Sequence, residues 1–263
     1  MPPDTLVQEK DVDERRVSVR AYGSLNDFLP PHRRRITSFQ EVSGPTAVKD
    51  FVESLGVPHP EVDLILANGT SVPFDYTVRA GDRIAVFPRF MTIDVERASC
   101  VRPPPLNPVR FILDVHLGRL ARRLRLIGLD TAYRVDAGDA ELADAACREP
   151  RILLTRDVGL LKRRIVRYGY FVRQTDPHRQ LVEVIGRFGP FELALFSRCL
   201  RCNSELREVT KTEIESALEP RARRLYDRFQ ECTGCGRIYW KGSHSKRLVA
   251  AIDAALEEAN RGG

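Results

Sequence analysis

Residues 17–22, VSVRAY, alternate apolar and polar positions and predict a half-buried strand. An arginine- and proline-rich loop around Arg33, Arg34 and Arg35 follows. From about Thr46 the spacing of Val48, Phe51, Val52 and Leu55 predicts a helix with one apolar face. EVDLILANGTSVPFDYTV predicts a strand, a turn at Asn68-Gly69 and a second short strand. AGDRIAVFPRF adds a turn at Gly81-Asp82 and a last strand through Ile84, Val86 and Phe87.

Four prolines within residues 102–108 read as a stiff linker, and beyond it the pattern changes. Short apolar runs at 109–113, 131–135, 151–155 and 170–174 predict strands. Helices are expected near 116–127, 140–148, 158–167 and 179–188. Such βα alternation implies a parallel sheet covered by helices on both faces. In the first of these helices Leu117, Leu120, Ala121, Leu124 and Ile127 share a face. Arg119, Arg122 and Arg123 lie opposite, and Gly128 suits the C-terminal cap.

Composition narrows the class. At 43% hydrophobic residues over 263 positions, a packed core is expected rather than global disorder. No run of about 18 apolar residues exists, which argues against a membrane helix. MPPDTLVQEKDVDERR carries acidic residues and no apolar stretch, so a signal peptide is not expected and the default is a cytoplasmic protein. The net charge of +6 is uneven: residues 1–108 carry a net −2, residues 109–263 a net +8. A polyanionic partner is therefore expected for the C-terminal part.

Carboxylates follow each strand of that part. Asp114 follows FIL, Asp136 and Asp139 follow TAYRV with Glu141 just beyond, Asp157 follows RILLT, and Asp176 follows YFVRQT. In an open parallel sheet, ligands bind beyond the carboxyl ends of the strands. Several carboxylates there suit Mg²⁺ or Mn²⁺, which activate water for attack on a phosphodiester. The competing reading is local: each position also opens a helix, where aspartate is a favoured cap.

Cys199-x-x-Cys202 and Cys232-x-x-Cys235, separated by 29 residues, offer four thiolates, the donor set of a structural tetrahedral zinc site. A catalytic zinc would keep an open position, and two matched pairs argue against a redox motif. Cys147 reads as a small core residue, and Cys100 as a linker position. Arginines and lysines surround the pairs together with Tyr239, Trp240, Lys241 and His244, a mixture suited to single-stranded RNA.

The strings FILDVHLGRLARRLRLIGLDTAY, AGDAELADAA and ILLTRDVGLLKR, followed by RCLRCNSEL and CTGCGRIYWKGSH, resemble the PIN-like RNase domain of the Mut-seven C-terminal family with its zinc ribbon. The segment 16–90 resembles the ubiquitin-like β-grasp fold, a known companion of that module, and AGDRIAVFP is similar to the end of small sulfur carriers. A carrier needs a free Gly-Gly immediately after this strand. Here RFMTIDVERASCVRPPPLNP follows instead, and Gly262-Gly263 read as a tail of another domain.

The resemblance implies an α/β protein organised as a flexible N-terminus (1–15), a β-grasp domain (16–92), a linker (93–108), a PIN-like nuclease domain (109–190), and a zinc ribbon with a C-terminal helix (191–263). It implies divalent-metal-dependent hydrolysis of RNA, with tRNA as one structured candidate. Asp114, Asp139 and Asp157 would be the Mg²⁺ or Mn²⁺ ligands; Asp176 is a further candidate, and Asp136 and Glu141 are alternatives for the middle position. Arg119, Arg122, Arg123, Arg156, Lys162 and Arg163 would contact RNA beside Tyr239, Trp240, Lys241 and His244, with Thr155 and Arg156 shaping the loop. The β-grasp domain is expected to position RNA or to engage a protein partner. The rival expectation is a non-catalytic RNA- or ribosome-binding adaptor that keeps the fold.

Overall fold

The computed structural model describes residues 16–261, apart from residues 43, 91–94 and 96 and the side chains of residues 243–247, 260 and 261. The expectations for residues 1–15, for Gly262-Gly263 and for the His244 side chain fall outside the described residues. Two compact units result. One takes the described residues up to Pro105 together with Asp157–Phe171; the other takes Leu106–Arg156 and the chain from Val172 onward.

The first unit holds strands β1 (Val17–Ala21), β2 (Ser38–Gln40), β3 (Thr46–Ala47), β4 (Val62–Ala67), β5 (Thr70–Ser71), β6 (Thr77–Val78) and β7 (Arg83–Pro88), with helix α1 (Val48–Ser54). Five form one sheet in the order β2-β1-β7-β4-β5, where β1 and β7 are parallel and their neighbours antiparallel. This is the β-grasp arrangement. The strand VSVRAY explains its two faces. Val17, Val19 and Ala21 are buried with Ile65, Ile84 and Val86 in a core that includes Val48, Phe51 and Val52 of α1, whereas Ser18 and Arg20 point the other way. Thr46 and Ala47 do not begin the helix: they pair with β6 and hand the chain to α1 at Val48.

The expected helix 158–167 shortens to α4 (Val158–Leu161), followed by turns and strand β11 (Gly169–Phe171). This excursion is tied down within the first unit. Lys162 Nζ donates to the Glu53 carbonyl (2.6 Å), and the Phe171 amide donates to Glu61 Oε1 (2.5 Å). The buried His59 ring bridges Glu53 (2.6 Å) and the Val166 carbonyl (2.8 Å).

In the second unit β8 (Phe111–Leu113), β9 (Thr131–Tyr133) and β10 (Ile152–Thr155) are parallel, with β8 central. Helix α2 (Gly118–Leu126) buries Leu120, Ala121 and Leu124 as the apolar spacing requires. Gly128 follows at φ +93, and a Cβ there would lie 2.6 Å from the Ala194 carbonyl, so only glycine suits this C-terminal cap. Helix α3 (Asp139–Arg148) packs on β8 and β10, and α5 (Pro177–Phe188) packs on α2. A three-stranded antiparallel sheet follows from β12 (Leu206–Val209), β13 (Phe229–Cys232) and β14 (Ile238–Trp240), with α6 (Pro220–Leu225) between the first two. The last helix, α7 (Ser243–Arg261), packs along α5. No helix among the described residues is long and apolar enough to cross a membrane.

Candidate active site and metal centre

Asp114 follows the central strand β8 and is 4% exposed. Its amide donates to the Leu154 carbonyl (3.0 Å), which aligns it with the end of β10. There Thr155 Oγ1 donates to Asp114 Oδ2 at 2.7 Å. The parallel pairing of β8 with β10 thus brings together residues 41 positions apart. Asp114 does not cap the turn it opens, since its side chain accepts no bond from that turn.

The other carboxylates differ. Asp139 is exposed in the first turn of α3. Asp136 and Glu141 both pair with the exposed Arg134, which holds the Asp136 carboxyl below its usual range. Asp157 caps α4, accepting from the amides of Gly159 (2.6 Å) and Leu160 (3.2 Å). Asp176 caps α5 through Arg179 (3.1 Å) and His178 (2.9 Å), and these amides hold its carboxyl low. Among the described residues, the one group of three or more His, Cys, Asp or Glu side chains close enough to share an ion consists of the four cysteines. The carboxylates therefore have the chemistry of a Mg²⁺ or Mn²⁺ site without forming a gathered set as they stand.

A cavity of about 620 Å³ is lined by His116, Arg119, Arg122, Tyr133, Thr175 and Gln180 among others. Tyr133 reaches over the start of α2 to donate to the Val115 carbonyl (2.9 Å). Gly118 permits this, because a Cβ would sit 2.6 Å from the Tyr133 hydroxyl. Arg119 and Arg122 are exposed there and Arg123 is half-buried. Arg156 is used differently: one Nη donates to the carbonyls of Val172, Arg173 and Gln174, clamping the loop before α5. Lys162 is engaged with Glu53 as described, and Arg163 is exposed.

The four sulfur atoms of Cys199, Cys202, Cys232 and Cys235 all lie within 4.8 Å of one another. Two of the approaches are 3.6 Å (Cys199–Cys235) and 3.3 Å (Cys202–Cys232). A zinc ion with bonds of about 2.3 Å in tetrahedral geometry sets sulfur atoms about 3.8 Å apart, so the set fits that ion. Backbone amides point at the sulfurs: Cys202 to Cys199 (3.4 Å), and Gly234 (3.4 Å) and Cys235 (3.3 Å) to Cys232. Burial opposes ionisation of Cys202, but its hydrogen bonds with Ser204, Cys232 and Cys199 outweigh it and bring that thiol down to about 6. Burial pushes Cys232 up to about 12.

Several groups that sequence reasoning passed over support this centre. Arg125, 2% exposed, sits among Leu124, Leu126 and Ile127 and donates to the carbonyls of Thr131 (2.9 Å), Leu200 (3.1 Å) and Arg201 (2.8 Å). Asn203, at φ +73, gives its amide nitrogen to Asp130 (2.7 Å) and accepts from the Thr131 amide (2.9 Å). Both therefore fasten the first cysteine turn to α2 and β9. An arginine inside an apolar run was the one available signal for Arg125. Tyr239 belongs to the centre too, with its hydroxyl 3.1 Å from Cys199 Sγ. Trp240 stays 39% exposed, and Lys241 Nζ lies 5.6 Å from the Phe196 ring centroid.

The family model described as Mut7-C RNAse domain matches residues 109–252, and the one described as Mut7-C ubiquitin matches residues 14–94. No curated protein and no solved structure matches the chain.

Proposed function

The chain belongs to the Mut7-C RNAse domain family, preceded by a Mut7-C ubiquitin domain, and from this we propose that it is a divalent-metal-dependent ribonuclease. The observation that carries the reading is Asp114: a buried carboxylate at the end of the central parallel strand, with one oxygen fixed by Thr155. Asp139 is the other carboxylate of that unit that we assign to the ion. The bound Mg²⁺ or Mn²⁺ supplies Lewis acidity and a water of lowered pKa. The chain's own side chains would position the substrate: Arg119 and Arg122, which line the cavity with His116 and Tyr133, offer cations to phosphate. Zn²⁺ on the four cysteines holds the ribbon, and the exposed Trp240 and Lys241 offer stacking and charge to RNA. A structured RNA such as tRNA is the substrate we favour.

Arg134 favours a second reading. It neutralises Asp136 and Glu141, as a non-catalytic RNA-binding adaptor could afford to do. Incubation of the purified chain with RNA and Mn²⁺, with calorimetry of Mn²⁺ binding alongside, decides between them. Cleavage lost in Asp114→Asn supports the nuclease; RNA binding with neither cleavage nor Mn²⁺ uptake sinks it.

A further inference from the structure

The β-grasp sheet leaves one face uncovered by α1, and its residues follow from the strand register. Ser18 pairs with Phe39 on β2 and with Arg83 on β7; Arg20 pairs with Ala85. Facing residues of paired strands share a side of the sheet, so Phe39, Arg20 and Arg83 stand on the side opposite the core. Tyr22, whose amide continues the ladder to the Val86 carbonyl, belongs to the same side. Its ring stacks on Phe87 with centroids 4.4 Å apart and planes 11° off parallel. Arg20 lies 5.3 Å from the Tyr22 centroid on one flank, and Phe90 5.8 Å from Phe87 on the other.

This line of planar groups is accessible. Phe39 is 49% exposed on the edge strand and Tyr22 is 37% exposed. Among the described residues neither Arg20 nor Arg83 has an ion-pair partner, while Glu41 at the end of β2 is matched by Arg16 (3.4 Å). A face meant for an apolar partner would not place unpaired guanidinium groups between its aromatics. A polyanion whose units carry π-faces matches both features, because bases stack on aromatic rings and guanidinium planes while phosphates meet the charge. Successive positions on one side of a strand are about 6.6 Å apart, which spaces Ser18, Arg20 and Tyr22 for neighbouring units of an extended chain.

We propose that this sheet face, centred on Arg20, Tyr22, Phe39, Arg83 and Phe87, is a platform for single-stranded RNA. It rests on the ribonuclease reading for the choice of RNA, and it gives the β-grasp unit a task of holding a substrate strand. Nothing in it requires sulfur-carrier chemistry.

The test uses the full zinc-loaded chain and an oligouridylate carrying 4-thiouridine and a fluorescent label, without added Mg²⁺ or Mn²⁺. Crosslinked peptides are mapped by mass spectrometry and affinity is read by anisotropy. Crosslinks are expected within the peptides that contain Tyr22, Phe39 or Phe87. Phe39→Ala and Arg20→Ala should each weaken binding about fivefold or more. Arg20→Ala should also lower the slope of log affinity against log salt by about one. Cleavage of the same RNA with Mn²⁺ is measured in parallel; both variants should raise KM and leave kcat in place. Crosslinks confined to other peptides, with wild-type affinity in both variants, would overturn the platform even if the chain cuts RNA, and would leave the face to a protein strand added at β2. Crosslinks on the face in a chain that cuts nothing would support the platform while removing the nuclease reading.

Discussion

Thr155 gives its hydroxyl hydrogen to Asp114 Oδ2 over 2.7 Å, with the threonine fully buried and the aspartate 4% exposed. One oxygen of the carboxylate is thereby oriented, and on the nuclease reading the other would meet the cation. Thr155→Val should lower cleavage by about 10–100-fold, the usual effect of losing a group that orients a metal ligand. It should also cost about 1–3 kcal/mol, because a buried carboxylate loses its partner. Asp114→Asn should abolish cleavage together with the rise in Tm that Mn²⁺ gives the wild type by binding the native state. Thermal scans with and without Mn²⁺ read this directly. An Mn²⁺-dependent rise retained in Asp114→Asn would remove Asp114 from the ion's ligands.

Asp157 allows its two readings to be separated by one substitution. Asparagine caps a helix about as well as aspartate, so Asp157→Asn should keep the bonds to Gly159 and Leu160 and leave stability within about 0.5 kcal/mol. If the carboxylate also serves the ion, cleavage falls steeply while Tm holds. Equal cleavage in variant and wild type would reduce Asp157 to a cap. Asp176→Asn makes the same separation at the further candidate, since its bonds to His178 and Arg179 are of the same kind.

Much of this is legible in the amino-acid sequence. VSVRAY set the two faces of β1, and the spacing of Leu117, Leu120, Ala121 and Leu124 set α2, because burial follows a fixed period along each element. The cysteine spacing alone pointed to the four thiols that the fold gathers within 4.8 Å of one another. What stayed hidden depends on residues distant in sequence. The pairing of Thr155 with Asp114 needs the register of β8 with β10. The docking of Lys162 and Phe171 against Glu53 and Glu61 cuts across the order of the chain and shortens the helix that periodicity extended to 167. Arg125 was hidden because a charge in an apolar run looks like an interruption until its carbonyl partners are known.

Arg125 makes the next prediction. Its guanidinium satisfies the carbonyls of Leu200 and Arg201, inside the turn that presents Cys199 and Cys202. Arg125→Met keeps the volume but leaves those acceptors and the Thr131 carbonyl unpaired, at about 1–3 kcal/mol for each one buried. Wild type should carry one zinc per chain, and the variant should release it faster to a colorimetric chelator at neutral pH. Among the described residues the ribbon's apolar cluster is small, Val209, Ile214, Leu218 and Phe229 with Tyr226 and Ile238 packed against them, so zinc removal should lower its Tm as well. Identical release rates in the two proteins would show that the arginine serves α2 and β9 rather than the cysteine turn.

Asp130 gives a prediction in pH. Burial works against its charge, yet hydrogen bonds from Arg151 (2.7 Å) and Asn203 (2.7 Å) outweigh that and hold the carboxyl below its usual range. In the unfolded chain the group titrates near the ordinary value of about 3.9. A depressed folded value means that the carboxylate's contribution is fully present above about pH 4 and is lost as pH falls through the folded value. At pH 7, Asp130→Asn should therefore be less stable than the wild type by about 1–3 kcal/mol, because Arg151, itself mostly buried, loses one of its two charged acceptors and keeps only Glu149. The gap should close as the wild-type carboxyl takes up its proton below about pH 4. Urea unfolding of both proteins across that range, each loaded with zinc, measures the gap as the difference between two midpoints. A gap that stays constant down to pH 3 would mean that Asp130 acts through its shape and hydrogen bonds, and that its charge contributes nothing to the fold.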